Sequence, residues 1–311
     1  MSTGTLQFGL CCINTQLRKK NIFCSRTMNR SNFTVEKAQS LALQNIADAE
    51  TMVHWNHKHG IHVFRLSSDI FPHFTDTEVE SYSMDFADKA LQQLGRVARE
   101  YKQRITMHPG QFNQVGATSS DVFEKTIRDL SHHAEILDRM GMDETSILCV
   151  HGGGTYGDKE ATIRRWKDQF TELPASVRRR LCIEPCERQY SLEDALDIAY
   201  DCKIPVIFDT HHDACYRQLH TDYQPEDIED QLSAVIETWK DRNVTPLFHI
   251  SEQKEGARIG AHSDFIKTIP TYLLDVIKEG TSIDLEVEAK AKEQAIFSLQ
   301  DIFKTLNVYK V

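Results

Sequence analysis

"ITMHPGQF", Ile105–Phe112, begins as a short apolar strand and then breaks at once into a histidine, a proline and a glycine, with a glutamine and an aromatic ring directly behind. A buried strand that ends on an imidazole and is followed by turn residues delivers one polar side chain to the edge of a sheet. Apolar runs of strand length recur along the chain as "LQFGLCCI", "IHVFRLS", "RITMHPG", "SILCVHGG", "LCIEP", "PVIFDTHH", "PLFHIS" and "SIDLEVEA", eight in all. Between and after them, apolar residues return every three to four positions, as at Leu130, Ile136, Leu137 and Met140. That period predicts helices over 35–57, 85–101, 122–140, 159–170, 192–201, 228–239, 265–277 and 291–306, each with one buried face. Eight strand-then-helix repeats without a Pro/Gly/Ser-rich linker imply the α/β class and a single (β/α)8 TIM barrel, one domain over residues 1–311. The runner-up, an open doubly wound sheet, lacks the Gly-rich dinucleotide fingerprint after its first strand.

The 311 residues are 40% hydrophobic, enough to bury a sizeable core. No apolar run approaches the roughly 20 residues of a membrane span, and "MSTGTLQFGL" has no basic region leading into a long apolar stretch. A soluble intracellular protein is expected, with cytoplasm and nucleus not distinguished. Eight cysteines at irregular spacings, with no C-x-x-C pair, suit reduced, buried thiols better than a disulfide framework or a thiolate zinc site. The net charge of −10 argues against a generic nucleic-acid binder. It leaves room for a nuclease whose bound divalent ions supply positive charge locally. The short basic clusters at Arg18-Lys19-Lys20, Arg164-Arg165 with Lys167, and Arg178-Arg179-Arg180 are assigned to solvated surface.

Barrel enzymes place their chemistry at the C-terminal ends of the strands. From the third candidate strand onward, those ends carry His108, His151, Glu184, Asp209, His249 and Glu288. One such residue alone reads as a hydrogen-bonded structural histidine or a helix cap. Six in the same position, all of types that bind divalent ions, read as a metal centre. Mixed imidazole and carboxylate ligands suit zinc, manganese or iron better than calcium or magnesium. His212, three residues past Asp209, and His262, in the loop after the seventh strand, join the set. Three carboxylates and five histidines exceed the needs of one ion, so two to three divalent ions are expected, with a carboxylate bridging some of them. Such a cluster polarises a phosphoryl oxygen, lowers the pKa of bound water and stabilises a leaving oxygen, which is the chemistry of phosphodiester hydrolysis. His54, His57, His59, His132, His133, His211 and His220 are left as structural, although His211 lies close enough to Asp209 to face the rim.

In order, "MHPGQF", "VHGGG", "IEP", "FDTHH", "FHIS", "GAH" and "EVEAKAKEQA" resemble the UV-damage endonuclease family, a relative of the endonuclease IV type of apurinic endonuclease, from about Phe8 to Ala295. The resemblance implies a metal-dependent barrel that nicks double-stranded damaged DNA 5′ to a UV photoproduct, leaving a 3′-hydroxyl and a 5′-phosphate. It further implies that His108, His151 and Glu184 hold one metal, that Glu184 bridges to a second held by Asp209, His249 and Glu288, and that His212 and His262 serve a third. Glu184, Glu288 and His249 are then the residues on which hydrolysis depends, with manganese or zinc as the metal. By the same resemblance Gln111 and Phe112 probe the duplex, the ring replacing stacking worth on the order of 1–3 kcal/mol per base where damaged nucleotides turn out. Leu10 stands where many members carry Tyr after the first-strand glycine, and it is expected to contact DNA together with Asn14. Arg65, Ser67, Lys290 and Lys292 are candidate backbone contacts of lesser weight.

Several positions depart from the family pattern. Phe112 replaces a frequent Tyr, Leu247 stands where members can carry a lysine that is sometimes modified, and Glu184-Pro185-Cys186 replaces Glu-Asn-Asp. A monomer with no membrane association is expected. The competing readings are an apurinic/apyrimidinic endonuclease of the endonuclease IV type, a metal-dependent sugar isomerase or epimerase, and a non-catalytic barrel that binds damaged DNA.

Overall fold

The eight apolar runs become eight strands in the computed structural model, which describes residues 4–305. They are β1 (Leu6–Cys11), β2 (Val63–Leu66), β3 (Arg104–Met107), β4 (Leu148–His151), β5 (Leu181–Glu184), β6 (Phe208–Asp209), β7 (Leu247–Ile250) and β8 (Ile283–Val287). Their order in the sheet is β5-β4-β3-β2-β1-β8-β7-β6. All pairings between them are parallel. The two ends of that row meet where Ile183 bridges Val206 and Ile207 N donates to Ile183 O at 2.9 Å. The sheet thereby closes into a (β/α)8 TIM barrel.

Parallel neighbours need crossover connections, and these carry the helices to the outside. The helices are α1 (Thr15–Arg18), α2 (Val35–Lys58), α3 (Asp88–Glu100), α4 (Ser120–Arg139), α5 (Lys159–Glu172), α6 (Ala175–Arg178), α7 (Leu192–Cys202), α8 (Thr210–Leu219), α9 (Ile228–Lys240), α10 (Thr271–Lys278) and α11 (Glu293–Thr305). Local caps set several starts: Thr34 accepts from Lys37 N, Asp158 accepts from Ala161 N, and Ser191 with Asp194 forms a reciprocal capping box. The helix expected over 265–277 begins only at Thr271. Pro270 stands at its entry and biases Ile269 away from helical backbone. Residue 306, the end of the last predicted helix, lies outside the described residues. No helix among the described residues is long and apolar enough to cross a membrane.

Side chains alternate between the helix layer and the barrel interior. On β1, Phe8 meets Phe303 of α11 edge-to-face at 5.6 Å, so Leu10, two residues on, also faces the helices and is fully buried in the core. This corrects the expectation that Leu10 contacts DNA: strand parity turns it away from the rim, and Cys11 takes the inward position. On β8 the parity runs the other way, and Asp284, Glu286 and Glu288 all point inward. Asp284 accepts from Arg104 Nη1 at 2.8 Å, while the same guanidinium donates to Thr145 O and Thr245 O and covers the Trp239 ring. This buried ion pair, in which Arg104 Nη2 alone has no hydrogen-bond partner, closes the N-terminal end of the barrel, leaving the C-terminal end as the open face.

Candidate metal centre

Glu184 is the hub of the open face. It ends β5, is fully buried, and presents each carboxylate oxygen to a different group of side chains. His108 Nε2 lies 2.9 Å from Oε2, and Cys149 Sγ donates to the same oxygen at 3.1 Å. His151 Nε2 stands 3.9 Å away from it. On the other side, His249 Nδ1 is 3.0 Å and His212 Nδ1 3.1 Å from Oε1. Three compact donor sets result among the described residues: His108 with His151 and Glu184; Cys149 with Glu184 and His249; and Glu184 with Asp209 and His212.

Asp209 unites two roles that the sequence leaves as alternatives. Its Oδ1 caps α8, accepting from His211 N at 2.7 Å and His212 N at 2.8 Å. Its Oδ2 is buried with no hydrogen-bond partner and lies 4.0 Å from His249 Nδ1. His151 Nδ1 is likewise buried and unpartnered. A buried polar atom without a partner costs about 1–3 kcal/mol, so two orphans beside a cluster of imidazoles and carboxylates fit a site that holds divalent cations.

Glu288 and His262 sit at the edge of the cluster. Glu288 immediately follows β8 and pairs with Arg65, while staying 3.5 Å from His249 Nδ1. His262 Nδ1 lies 2.6 Å from the backbone oxygen of Glu288 and 3.7 Å from its carboxylate, and its ring edges against His212 and His211. Neither belongs to the compact donor sets. His212 joins the set around Glu184 and Asp209, whereas the family resemblance places it with His262.

The charges are strongly coupled. Burial acts to raise the Glu184 carboxyl, but His249, His151 and the hydrogen bonds from His108 and His212 hold it well below the usual range. Burial acts to lower His249, and Glu184 outweighs this and pushes it up to about 10. His212 is raised by Asp209 and Glu184 against its burial. His151 is left at about 4, because burial there outweighs Glu184. Glu288 is held low, against its burial, by Arg65 and His249.

Several polar residues of the site escaped the strand-end pattern. Glu286, one inward position below Glu288, accepts from Arg65 Nε at 2.6 Å and from the Thr106 hydroxyl, and lies 3.2 Å from His249 Nε2. Glu293 is fully buried and holds α1 in place, accepting from Thr15 N at 2.7 Å and Gln16 N at 3.0 Å. Arg65 is itself buried in its pairs with Glu286 and Glu288, so it has no side chain free for a DNA backbone. Asn14 is also corrected: it is buried and caps α1 by accepting from Leu17 N at 2.9 Å, so it offers no surface to a duplex. Ser67 is buried and accepts from Asp69 N. Lys290 is exposed and Lys292 half-buried after β8.

The loop after β3 is built so that its ring stands out. Asn113 Nδ2 donates to Gly110 O and to Asp129 Oδ2, and Gln114 Nε2 donates to Gln111 O. Gln114 Oε1 in turn accepts from Gly154 N at 2.6 Å, tying this loop to the one after β4. Gln111 is exposed, and Phe112 at 68% is the most exposed large hydrophobic side chain among the described residues. Beside it a cleft of about 740 Å³ runs from His108 past Ser67, Phe71 and Phe74 to His132.

Of the histidines read as structural, His211 edges against His262 at the rim, whereas His54, His57 and His59 are held by aromatic neighbours at the end of α2. His57 stacks on Tyr101, His59 stacks on Trp55, and His54 Nδ1 lies 3.0 Å from the Tyr101 hydroxyl.

A family model described as UV-endonuclease UvdE matches residues 6–311. A putative UV-damage endonuclease of Acanthamoeba polyphaga mimivirus is 34% identical over 96% of this chain and 92% of its own length. The UV-damage endonuclease of Schizosaccharomyces pombe is also 34% identical, over 94% of this chain, which spans half the length of that relative. Among solved structures, that of SacUVDE superposes with a TM-score of 0.85 at 29% identity, covering 97% of this chain and 99% of that one.

Proposed function

We propose that this chain, which belongs to the UV-endonuclease UvdE family, is a metal-dependent endodeoxyribonuclease that hydrolyses the phosphodiester bond 5′ to UV photoproducts in double-stranded DNA. Cyclobutane pyrimidine dimers and 6-4 photoproducts are its lesions, a 3′-hydroxyl and a 5′-phosphate its products, and it acts as a monomer. The observation that carries this reading is the division of Glu184 between two groups of imidazoles, one on each oxygen. Two to three divalent ions, manganese or zinc, would be held by His108, His151, Glu184, Asp209, His212 and His249, with Glu288 and His262 completing the outer edge. When bound, such ions polarise the phosphoryl group, supply an activated water and stabilise the leaving oxygen.

The protein's own groups do the rest. Glu184 fixes the two halves of the centre relative to each other, and Arg65 holds Glu288 beside His249. Phe112, exposed and braced from below, is placed to fill the gap in the stack where damaged nucleotides turn out, with Gln111 beside it. The cleft next to Phe112 gives the displaced nucleotides a place to go, and unstacking costs least at a damaged step. An acidic chain that acts on DNA needs cations at the point of contact, and a carboxylate-rich rim recruits them.

The deciding experiment compares incision of three duplexes, dimer-containing, abasic and undamaged, in manganese or zinc. Nicking 5′ to the dimer is the expected result. Cleavage of the abasic duplex alone would make this an apurinic endonuclease, and aldose–ketose turnover without nicking would make it a sugar isomerase.

A further inference from the structure

Among the cysteines, Cys149 has a distinctive place. Cys182 lies against a backbone oxygen, Cys186 accepts from the backbone of Gln189 and Tyr190, and Cys215 faces His211. Cys149 points inward from β4, two residues before His151, and its sulfur meets the hub carboxylate at 3.1 Å. It is buried, as are Glu184 and His249, and the donor atoms of the three lie within 4.8 Å of one another. They come from β4, β5 and β7, so the thiol is held by the barrel wall rather than by a loop. A fourth donor is at hand: the unpartnered Asp209 Oδ2 lies 4.0 Å from His249 Nδ1.

We propose that Cys149, with Glu184 and His249, forms an inner sulfur-containing metal position beneath the rim, and that this sulfur makes the centre selective for zinc over manganese. The inference rests on the proposal that the rim is a metal centre, and adds to it a ligand and a metal preference. Donor chemistry supplies the reason. Thiolate is a soft ligand that favours zinc, and a sulfur, imidazole and carboxylate set is within the usual zinc repertoire, whereas manganese favours oxygen donors. On binding, the thiol S–H bond is replaced by a sulfur–zinc bond and the proton leaves to solvent, with no change of oxidation state. The rim sets of imidazole and carboxylate lack that bias and accept either ion.

The test is X-ray absorption at the zinc edge on the full-length zinc-loaded protein, with a parallel cobalt-loaded sample observed in the near ultraviolet. The parent is expected to show a sulfur neighbour at about 2.3 Å and a thiolate-to-cobalt charge-transfer band. Cys149→Ser should lose both signals and Cys186→Ser should keep both. After equilibration with equal excess zinc and manganese and removal of free metal, Cys149→Ser should retain about tenfold less zinc relative to manganese than the parent. A parent shell without sulfur overturns the inference, as does a band that survives Cys149→Ser or an unchanged metal ratio. Should Cys149→Ser fail to fold, the parent's absorption spectrum decides alone. A parent that binds metal and nicks damaged duplex without a sulfur neighbour refutes this inference and leaves the nuclease reading standing. A sulfur neighbour in a protein that never nicks DNA does the reverse.

Discussion

Arg65 and Glu286 meet across Gly9. They lie on β2 and β8, the two strands that flank β1, and Arg65 Nε donates to Glu286 Oε2 at 2.6 Å. Gly9 is in register with both Val63 and Glu286. A Cβ at that position would come within 2.7 Å of Glu286 Cγ and 3.0 Å of Val63 Cβ. The glycine of the first strand therefore leaves room for an ion pair beneath the metal centre. Burial acts to raise the Glu286 carboxyl, and Arg65 and His249 outweigh it and hold it at about 2.

Arg65→Met should be strongly destabilising. It leaves Glu286 and Glu288 without their fixed counter-charge inside the barrel, and breaking a buried pair from one side costs about 3–5 kcal/mol. Denaturant unfolding of the ion-free protein measures this directly. A loss under about 1 kcal/mol would mean that the carboxylates find compensation elsewhere.

Glu184→Gln should remove metal while leaving the fold. The amide keeps the shape but carries no charge and has one acceptor oxygen, so it cannot serve both groups of imidazoles. Bound metal affinity should fall by about 10–100-fold or more, with incision falling alongside and the circular dichroism spectrum unchanged. Elemental analysis that finds full metal content in the variant would remove Glu184 from the centre.

Phe112→Ala should weaken recognition of damage without emptying the metal centre. Loss of one stacking face predicts about 5- to 150-fold weaker binding of a dimer-containing duplex, equivalent to about 1–3 kcal/mol. Gly110→Ala offers an independent check, because a Cβ there would lie 2.5 Å from the Phe112 ring and force it to swing. Both variants should bind undamaged duplex as the parent does. Equal discrimination by parent and Phe112→Ala would end the probing role.

How much of this was legible depended on depth in the barrel. The rim residues His108, His151, Glu184, Asp209 and His249 were visible because each closes an apolar run, and the structure gathers all of them around Glu184. Glu286 and Cys149 sit one inward layer lower, inside the runs, where a single polar or sulfur-bearing residue looks like ordinary strand composition. The alternation of Asp284, Glu286 and Glu288 was the available signal for an inward polar face on β8. Leu10 was misplaced because distance from Gly9 does not reveal which side of the sheet a residue occupies, whereas parity with Phe8 does. Helix α8 went unseen because its first turn, Thr210-His211-His212-Asp213, has strong site residues and little apolar periodicity.

His132 provides a test of acid stability outside the metal centre. It is buried on α4, stacked on Phe74 with ring centroids 4.2 Å apart and edged against Phe71 at 5.6 Å, and neither ring nitrogen has a hydrogen-bond partner. Burial, with neighbouring His133 adding to it, pushes its pKa well below the ordinary 6.5. The folded protein therefore keeps this ring neutral, while the unfolded chain takes up a proton below pH 6.5. The unfolded state then binds more protons, so stability rises with pH in that range and is lost as pH falls below 6.5 toward the folded value. His132→Phe keeps an aromatic face against Phe74 and removes both the orphan nitrogens and the titration. It should raise the melting temperature of the chelator-treated protein at neutral pH, by the equivalent of about 1–3 kcal/mol. The gain should be larger at about pH 5 than at about pH 7.5, because only the parent faces the proton-linked loss. Melting curves that stay parallel across that range would show that His132 carries the same protons in both states.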